Sequence, residues 1–160
     1  MITSQNELNL TAFLDMLAQS EIGTQLLDVS DNGYNVIVGS TSERPDLFHS
    51  YADHPRKLVD LGAGLKSTAA GRYQILERYF DSYKALLKLP DFSPASQDAI
   101  ATQMIKERKA LPLIESGNIA DAIHLCSGIW ASLPGNSYGQ HENTEASLIT
   151  NYKSAGGKCV

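Results

Sequence analysis

Ser4-Gln5-Asn6-Glu7-Leu8-Asn9-Leu10-Thr11-Ala12-Phe13-Leu14-Asp15-Met16-Leu17-Ala18-Gln19-Ser20-Glu21 is the stretch from which the fold is read. Ser4 and Glu7 have the spacing of a capping box, in which each side chain satisfies the other residue's backbone N–H at a helix start. Leu10, Phe13, Leu14 and Leu17 then follow at steps of three and four, which predicts one amphipathic helix from residue 4 to about 21. The stripe does not stop at the last leucine. Leu10, Leu14 and Leu17 precede Glu21 by whole turns, so a carboxylate falls on the buried side of the helix end. Burial there disfavours the charged form and raises the pKa toward the range of a general acid. Two plainer readings stand beside this one: Glu21 reaches out to solvent, or it pairs with Arg56 or Arg72.

Working outward, the texture changes over residues 22–72 to turn residues and short β-favouring runs. Asp31-Asn32-Gly33 precedes Tyr34-Asn35-Val36-Ile37-Val38-Gly39, and a polar segment follows through Pro45. After Gly71, Ile75, Leu76, Tyr79, Phe80, Tyr83, Leu86 and Leu87 return to helical spacing, and Tyr79, Phe80 and Tyr83 read as packing residues. Ser93 as N-cap and Pro94 at the first helical position open a helix to about 108. Shorter helices are expected near 111–116 and 118–128, and a last one near 144–155 that stops at Gly156-Gly157. The fold class is α+β, a mainly helical body with a small β-containing lobe at about 22–72, and residues 1–160 are expected to form a single domain.

Composition narrows the function classes. A net charge of −5 with scattered Lys and Arg argues against nucleic acid, whose phosphates need clustered basic residues. No apolar run approaches the roughly 20 residues of a membrane-spanning helix, and the first twenty residues do not read as a secretory leader, so a soluble cytoplasmic monomer without membrane insertion is expected. His49, His54, His124 and His141 show no ligand spacing, and no metal or other cofactor is expected. Cys126 and Cys159 read as free thiols. Gly62-Ala63-Gly64 lacks the third glycine and following helix of a dinucleotide loop and reads as a turn.

What remains suits carbohydrate. Tyr34, Tyr51, Tyr73 and Tyr138 fall in loops or strand edges, where rings can stack on the CH faces of sugars. Asn32, Asn35, Ser67, Thr68, Gln74, Asn136 and Gln140 place amides and hydroxyls in the same segments. Trp130, alone in an apolar segment, reads as core.

Several blocks then carry a resemblance: Ala12-Phe13-Leu14-Asp15-Met16-Leu17-Ala18, Ser20-Glu21, Asp53-His54-Pro55-Arg56-Lys57-Leu58-Val59, Gly71-Arg72-Tyr73-Gln74, Ile105-Lys106-Glu107-Arg108 and Ile129-Trp130-Ala131-Ser132-Leu133-Pro134-Gly135. In this order, and across nearly the whole chain, they resemble the phage endolysins of the lytic transglycosylase family. The resemblance implies a lysozyme-like fold and cleavage of the β-1,4 bond between N-acetylmuramic acid and N-acetylglucosamine in peptidoglycan, leaving 1,6-anhydromuramoyl ends. It assigns the catalytic role to Glu21. It makes residues 47–58 and 132–142 two lips over the glycan and Ser67, Thr68, Tyr73 and Gln74 the floor beside the acid, with Tyr34 a further contact; Asn35, Tyr138 and Gln140 join them as expected glycan-binding residues from the carbohydrate reading above. It implies peptidoglycan strands as substrate, synthesis in the host cytoplasm and action in the periplasm once a holin gives access. A hydrolytic muramidase using Asp28, Asp31 or Asp53 as second carboxylate, or a glycan-binding protein without catalysis, are the rival functions. The chain departs from the family pattern at Ile22, inserted after the acid, at Gln19 in place of Trp, and at Asn35 in place of Asp.

Overall fold

The computed structural model describes residues 2–135 and 142–160. Among them the chain forms α1 (Gln5–Glu21), α2 (Thr24–Val29), β1 (Val59–Asp60), β2 (Lys66–Ser67), α3 (Glu77–Leu87), α4 (Pro94–Glu107), α5 (Leu111–Glu115), α6 (Ile119–Cys126) and α7 (Glu145–Ser154). The residues fall into two compact units, one of Met1–Glu21 with Ala101–Val160 and one of Ile22–Ile100. Both strands lie in the second unit.

The first unit is helical. α1 begins at its capping box, with the Ser4 backbone N–H donating to Glu7 Oε2 at 2.8 Å and the Glu7 N–H donating to Ser4 Oγ at 3.3 Å. The expected stripe buries Phe13, Leu14 and Leu17, joined by Ala12 and Met16, and it packs against α5 and α7. Asn9 interrupts this face and is itself buried. Its Nδ2 donates to the carbonyls of Ile114 and Glu115, and its Oδ1 accepts from the Lys158 N–H at 3.0 Å. A buried amide keeps its place only with such partners, and here they tie α1 to the end of α5 and to the tail after α7. α7 starts at Thr144, whose Oγ1 accepts from the Ser147 N–H, and stops in a Schellman turn, Gly157 N–H donating to Tyr152 O and Gly156 N–H to Lys153 O. Gly156, at φ 99°, supplies the left-handed residue that this stop requires.

The second unit is held by turns and buried polar links more than by sheet. Tyr34 N–H donates to Asp31 O across Asn32 and Gly33, both at positive φ, so the expected turn forms. The run Val36-Ile37-Val38 does not become a strand. It makes single bridges, Val36 to Leu47 and Ile37 to Ala70, because Gly33 and Gly39 at positive φ break the extended chain on either side. The paired strands are β1 and β2, antiparallel with Val59 opposite Ser67, joined by a turn through Gly62-Ala63-Gly64. α2 was not expected from the sequence.

α3 is wetter than its pattern suggests. Phe80 is buried, but Tyr79 and Leu86 are exposed. Tyr79 lies under the Arg78 guanidinium, 4.9 Å from the ring centroid, a cover that needs no core. Phe80, Phe92, Phe48 and His54 form an aromatic cluster, with the Phe92 centroid 5.0 Å from Phe80 and 4.9 Å from His54. At the start of α4 the fully buried Gln97 accepts from the Arg72 N–H and donates to the carbonyls of Tyr34 and Phe92. That approach requires Gly71, since any Cβ there would overlap the Gln97 amide.

Candidate active site

Glu21 is the last residue of α1, and the chain turns away from it at once, with Gly23 at φ 88°. The residue as a whole is half-buried, and protein atoms crowd its carboxyl group. That crowding pushes the pKa from 4.5 up to about 7, against a smaller opposing effect of the Ser132 hydroxyl, which donates to Oε1 at 3.0 Å. Those two effects, burial and the Ser132 hydroxyl, are the causes of its shift. Arg56 donates to Asp53, Glu77 and Asp81, and Arg72 donates to Asn32 O and Tyr73 Oη. Ser132 in turn lies 2.7 Å from Ser20 Oγ, and Asn143 Nδ2 donates to Ser20 Oγ at 3.0 Å. Ser20, Ser132 and Asn143 are functional neighbours that the sequence reading did not single out.

A carboxyl with this profile can donate a proton and take one back near neutral pH. It also costs stability. The folded protein binds the Glu21 proton more tightly than the unfolded chain, so stability from this group is greatest below pH 4.5 and falls as pH rises to about 7. Glu21→Gln removes the penalty. The variant is expected to exceed the wild type by about 1–3 kcal/mol at pH 8, with the difference fading toward pH 5. Denaturant titrations at the two pH values test this; an unchanged or lower stability at pH 8 would show that the carboxyl is not strained by its surroundings.

The other expected site residues lie in the second unit. Tyr34 is half-buried, and its hydroxyl donates to Asp98 Oδ1 at 2.9 Å. Its pKa rises to about 12, first through burial and then through the Asp98 charge. Tyr73 must be corrected: expected along the glycan, it is part of the core, 1% exposed, with its hydroxyl donating to Asp98 and accepting from Arg72. The loop Gly71-Arg72-Tyr73-Gln74 closes a bridge between Ala70 and Ile75, and its middle two side chains turn inward. Gln74 holds φ 50° and anchors Nε2 on Gly71 O at 2.8 Å; no hydrogen bond engages its amide oxygen among the described residues. A non-glycine residue held in that region marks a locally constrained backbone.

Asn35 Oδ1 accepts from the Asp31 N–H, and Ser67 Oγ accepts from the Ala69 N–H. Thr68 Oγ1 accepts from the Glu77 N–H, satisfying an open donor at the head of α3 that its own N-cap, Leu76, leaves unmet. Ser67 and Thr68 share an open groove of about 460 Å³ with Leu58, Lys66, Leu76, Glu77, Arg78 and Asp81; Tyr34, Asn35, Tyr73 and Gln74 do not line it. Tyr138 and Gln140 lie outside the described residues. Among the described residues no cluster of three or more His, Cys, Asp or Glu is placed to hold a metal.

A helical unit ending its first helix in a crowded glutamate, followed in sequence by a strand-bearing unit, is a lysozyme-like fold. The solved structure of bacteriophage lambda lysozyme complexed with a chitohexasaccharide matches all of this chain and all of its own, with a TM-score of 0.87 and 53% identity. A second lysozyme structure from that phage matches with a TM-score of 0.84. The endolysin of Escherichia phage lambda is 57% identical over 91% of this chain and 90% of its own length; that of Escherichia phage P2 is 48% identical over 93% of each. The family model described as Endolysin matches residues 11–159, and the chain belongs to the endolysin family.

Proposed function

We propose that this endolysin is a lytic transglycosylase that cuts the glycan strands of peptidoglycan between N-acetylmuramic acid and N-acetylglucosamine. The reading rests on one observation: a single carboxyl, Glu21, with a pKa of about 7 and a neutral hydroxyl as its hydrogen-bond partner. Protonated, Glu21 gives its proton to the glycosidic oxygen as the C1–O bond breaks. As carboxylate it takes the proton of the muramoyl C6 hydroxyl while that oxygen bonds to C1, which closes the 1,6-anhydro ring and restores the acid. No water is consumed. Hydrolases of the usual kind add a second carboxylate as nucleophile or base. Of the three candidates for that role, Asp53 is clamped by Arg56 at 2.8 Å, Asp31 accepts from the Tyr51 hydroxyl and Asp28 is exposed on α2, which favours the one-carboxylate route.

Mass spectrometry of fragments released from purified Gram-negative peptidoglycan tests the reaction. Anhydromuramoyl ends, lighter than reducing ends by one water, are expected. Reducing ends would replace the transglycosylase by a muramidase, and glycan affinity without release would leave a binding protein. From family membership we further infer that the enzyme gathers in the host cytoplasm and reaches the wall through a holin-dependent opening. Expression without a holin should then leave cells intact until the membrane is permeabilised.

A further inference from the structure

Asn143 Nδ2 faces three oxygens: Ser20 Oγ at 3.0 Å, Ser20 O at 3.3 Å and Ser132 O at 3.4 Å. Two of these are backbone carbonyls, which only accept, so they fix which end of the amide points at them; the reversed amide would set its own oxygen against both. A serine hydroxyl has one hydrogen and two lone pairs, so the order follows from the other end, where Ser132 Oγ commits its hydrogen to Glu21 Oε1 at 3.0 Å. Ser132 Oγ then accepts from Ser20 Oγ at 2.7 Å, and Ser20 Oγ accepts from Asn143. Asn143 is itself held, since its backbone N–H donates to Ser132 O at 2.8 Å just ahead of the Thr144 cap of α7.

We propose that Asn143, acting through Ser20 and Ser132, is a positioning residue that commits Oε1 of Glu21 to the protein and leaves Oε2 as the oxygen that carries the catalytic proton. The inference rests on Glu21 being the acid/base. The relay serves both halves of the cycle without rearrangement, because Oε1 accepts from Ser132 equally as the carbonyl oxygen of the acid and as part of the carboxylate. It also holds the acidity in range, since a hydrogen bond to the charged form opposes the effect of burial. α1 itself carries Glu7 and Asp15, and the elements packed against it carry Glu115 on α5 and Glu145 and Lys153 on α7. Glu142 precedes Asn143 and accepts from the Gly135 N–H. None of them is among the causes of the Glu21 shift, which are burial and Ser132.

The test is the pH dependence of kcat in Ser132→Ala, Asn143→Ala and the double variant, with the Glu21 carboxyl titrated by NMR in each. Ser132→Ala is expected to move the kcat profile and the Glu21 titration upward by about one pH unit, the worth of a hydrogen bond to a charged group. Asn143→Ala should move both in the same direction by less, with KM within about twofold. The double variant should match Ser132→Ala alone, because the amide acts only through the hydroxyl. Ser132→Thr, which keeps the hydroxyl, should restore the profile. Independent, additive effects, or a loss of stability in Asn143→Ala without any pH shift, would overturn the relay. If instead Glu21→Gln keeps a wild-type profile, the acid/base reading fails and the relay falls with it, so the two failures are told apart.

Discussion

Glu21→Gln should lower the release of soluble fragments from peptidoglycan by about 100- to 10 000-fold, the usual range for removing a general acid/base. The substitution isolates the proton. Glutamine has the shape of the protonated acid, and its Oε1 can still accept from Ser132, so the helix end and its hydroxyl partners keep their geometry. On the transglycosylase reading proposed above, what is lost is the group that protonates the glycosidic oxygen and then takes the C6 hydroxyl proton. The same logic fixes the pH behaviour of the wild type. With Glu21 as the proposed acid, bond cleavage needs its protonated form, so turnover should fall as pH rises through about 7, approaching tenfold per pH unit above it. Asp31→Asn and Asp53→Asn should stay within about tenfold of the wild type. Glu21→Gln within tenfold of wild type, or a loss as large in either aspartate variant, would end the one-carboxylate mechanism.

Phe92→Ala should cost about 3–5 kcal/mol, a large share of the roughly 5–15 kcal/mol that holds a domain of ordinary stability. Phe92 is fully buried and touches three other rings, Phe80, His54 and Phe48, with centroids 4.9–6.0 Å away. Its backbone is pinned independently, the N–H donating to Tyr51 O and the carbonyl accepting from Gln97. The neighbours therefore cannot collapse far into the space, which is the condition for a large cavity cost. His54 reports on the outcome. Burial holds its pKa below 6.5, and water entering the cavity should bring it back up. Denaturant unfolding measures the first effect and NMR titration of the imidazole the second. A loss below about 1 kcal/mol would mean that the aromatic cluster is not a unit.

Glu21 was legible because local spacing suffices to put it on the apolar side of α1, and the helix ends at Ser4, Ser93 and Gly156 were legible because capping is also local. Asn143, Ser20 and Ser132 escaped for the opposite reason. Their meeting spans 111 and 123 residues of sequence, and a serine or asparagine carries no pattern announcing a partner so distant. Tyr73 misled because a tyrosine in a loop looks available for stacking; the inward turn of Arg72 and Tyr73 depends on Gln97 and Asp98, which lie two elements further on. Val36-Ile37-Val38 has strand composition, but the flanking glycines decide its fate. α2 lacked a cap: Gly23 precedes it with no side-chain hydrogen bond, so nothing in the sequence marked its start.

The amide of Asn9 has a meaning for synthesis on the ribosome. α1 emerges early, yet the carbonyl of Ile114 that Asn9 requires lies 105 residues later and the Lys158 amide 149 residues later. Until then the side of α1 bearing Phe13 and Leu17 has no α5 or α7 to cover it, and such a nascent segment is a target for holding chaperones. The acid is therefore made first and tuned last: a chain stalled before position 132 would carry Glu21 without its hydroxyl donor.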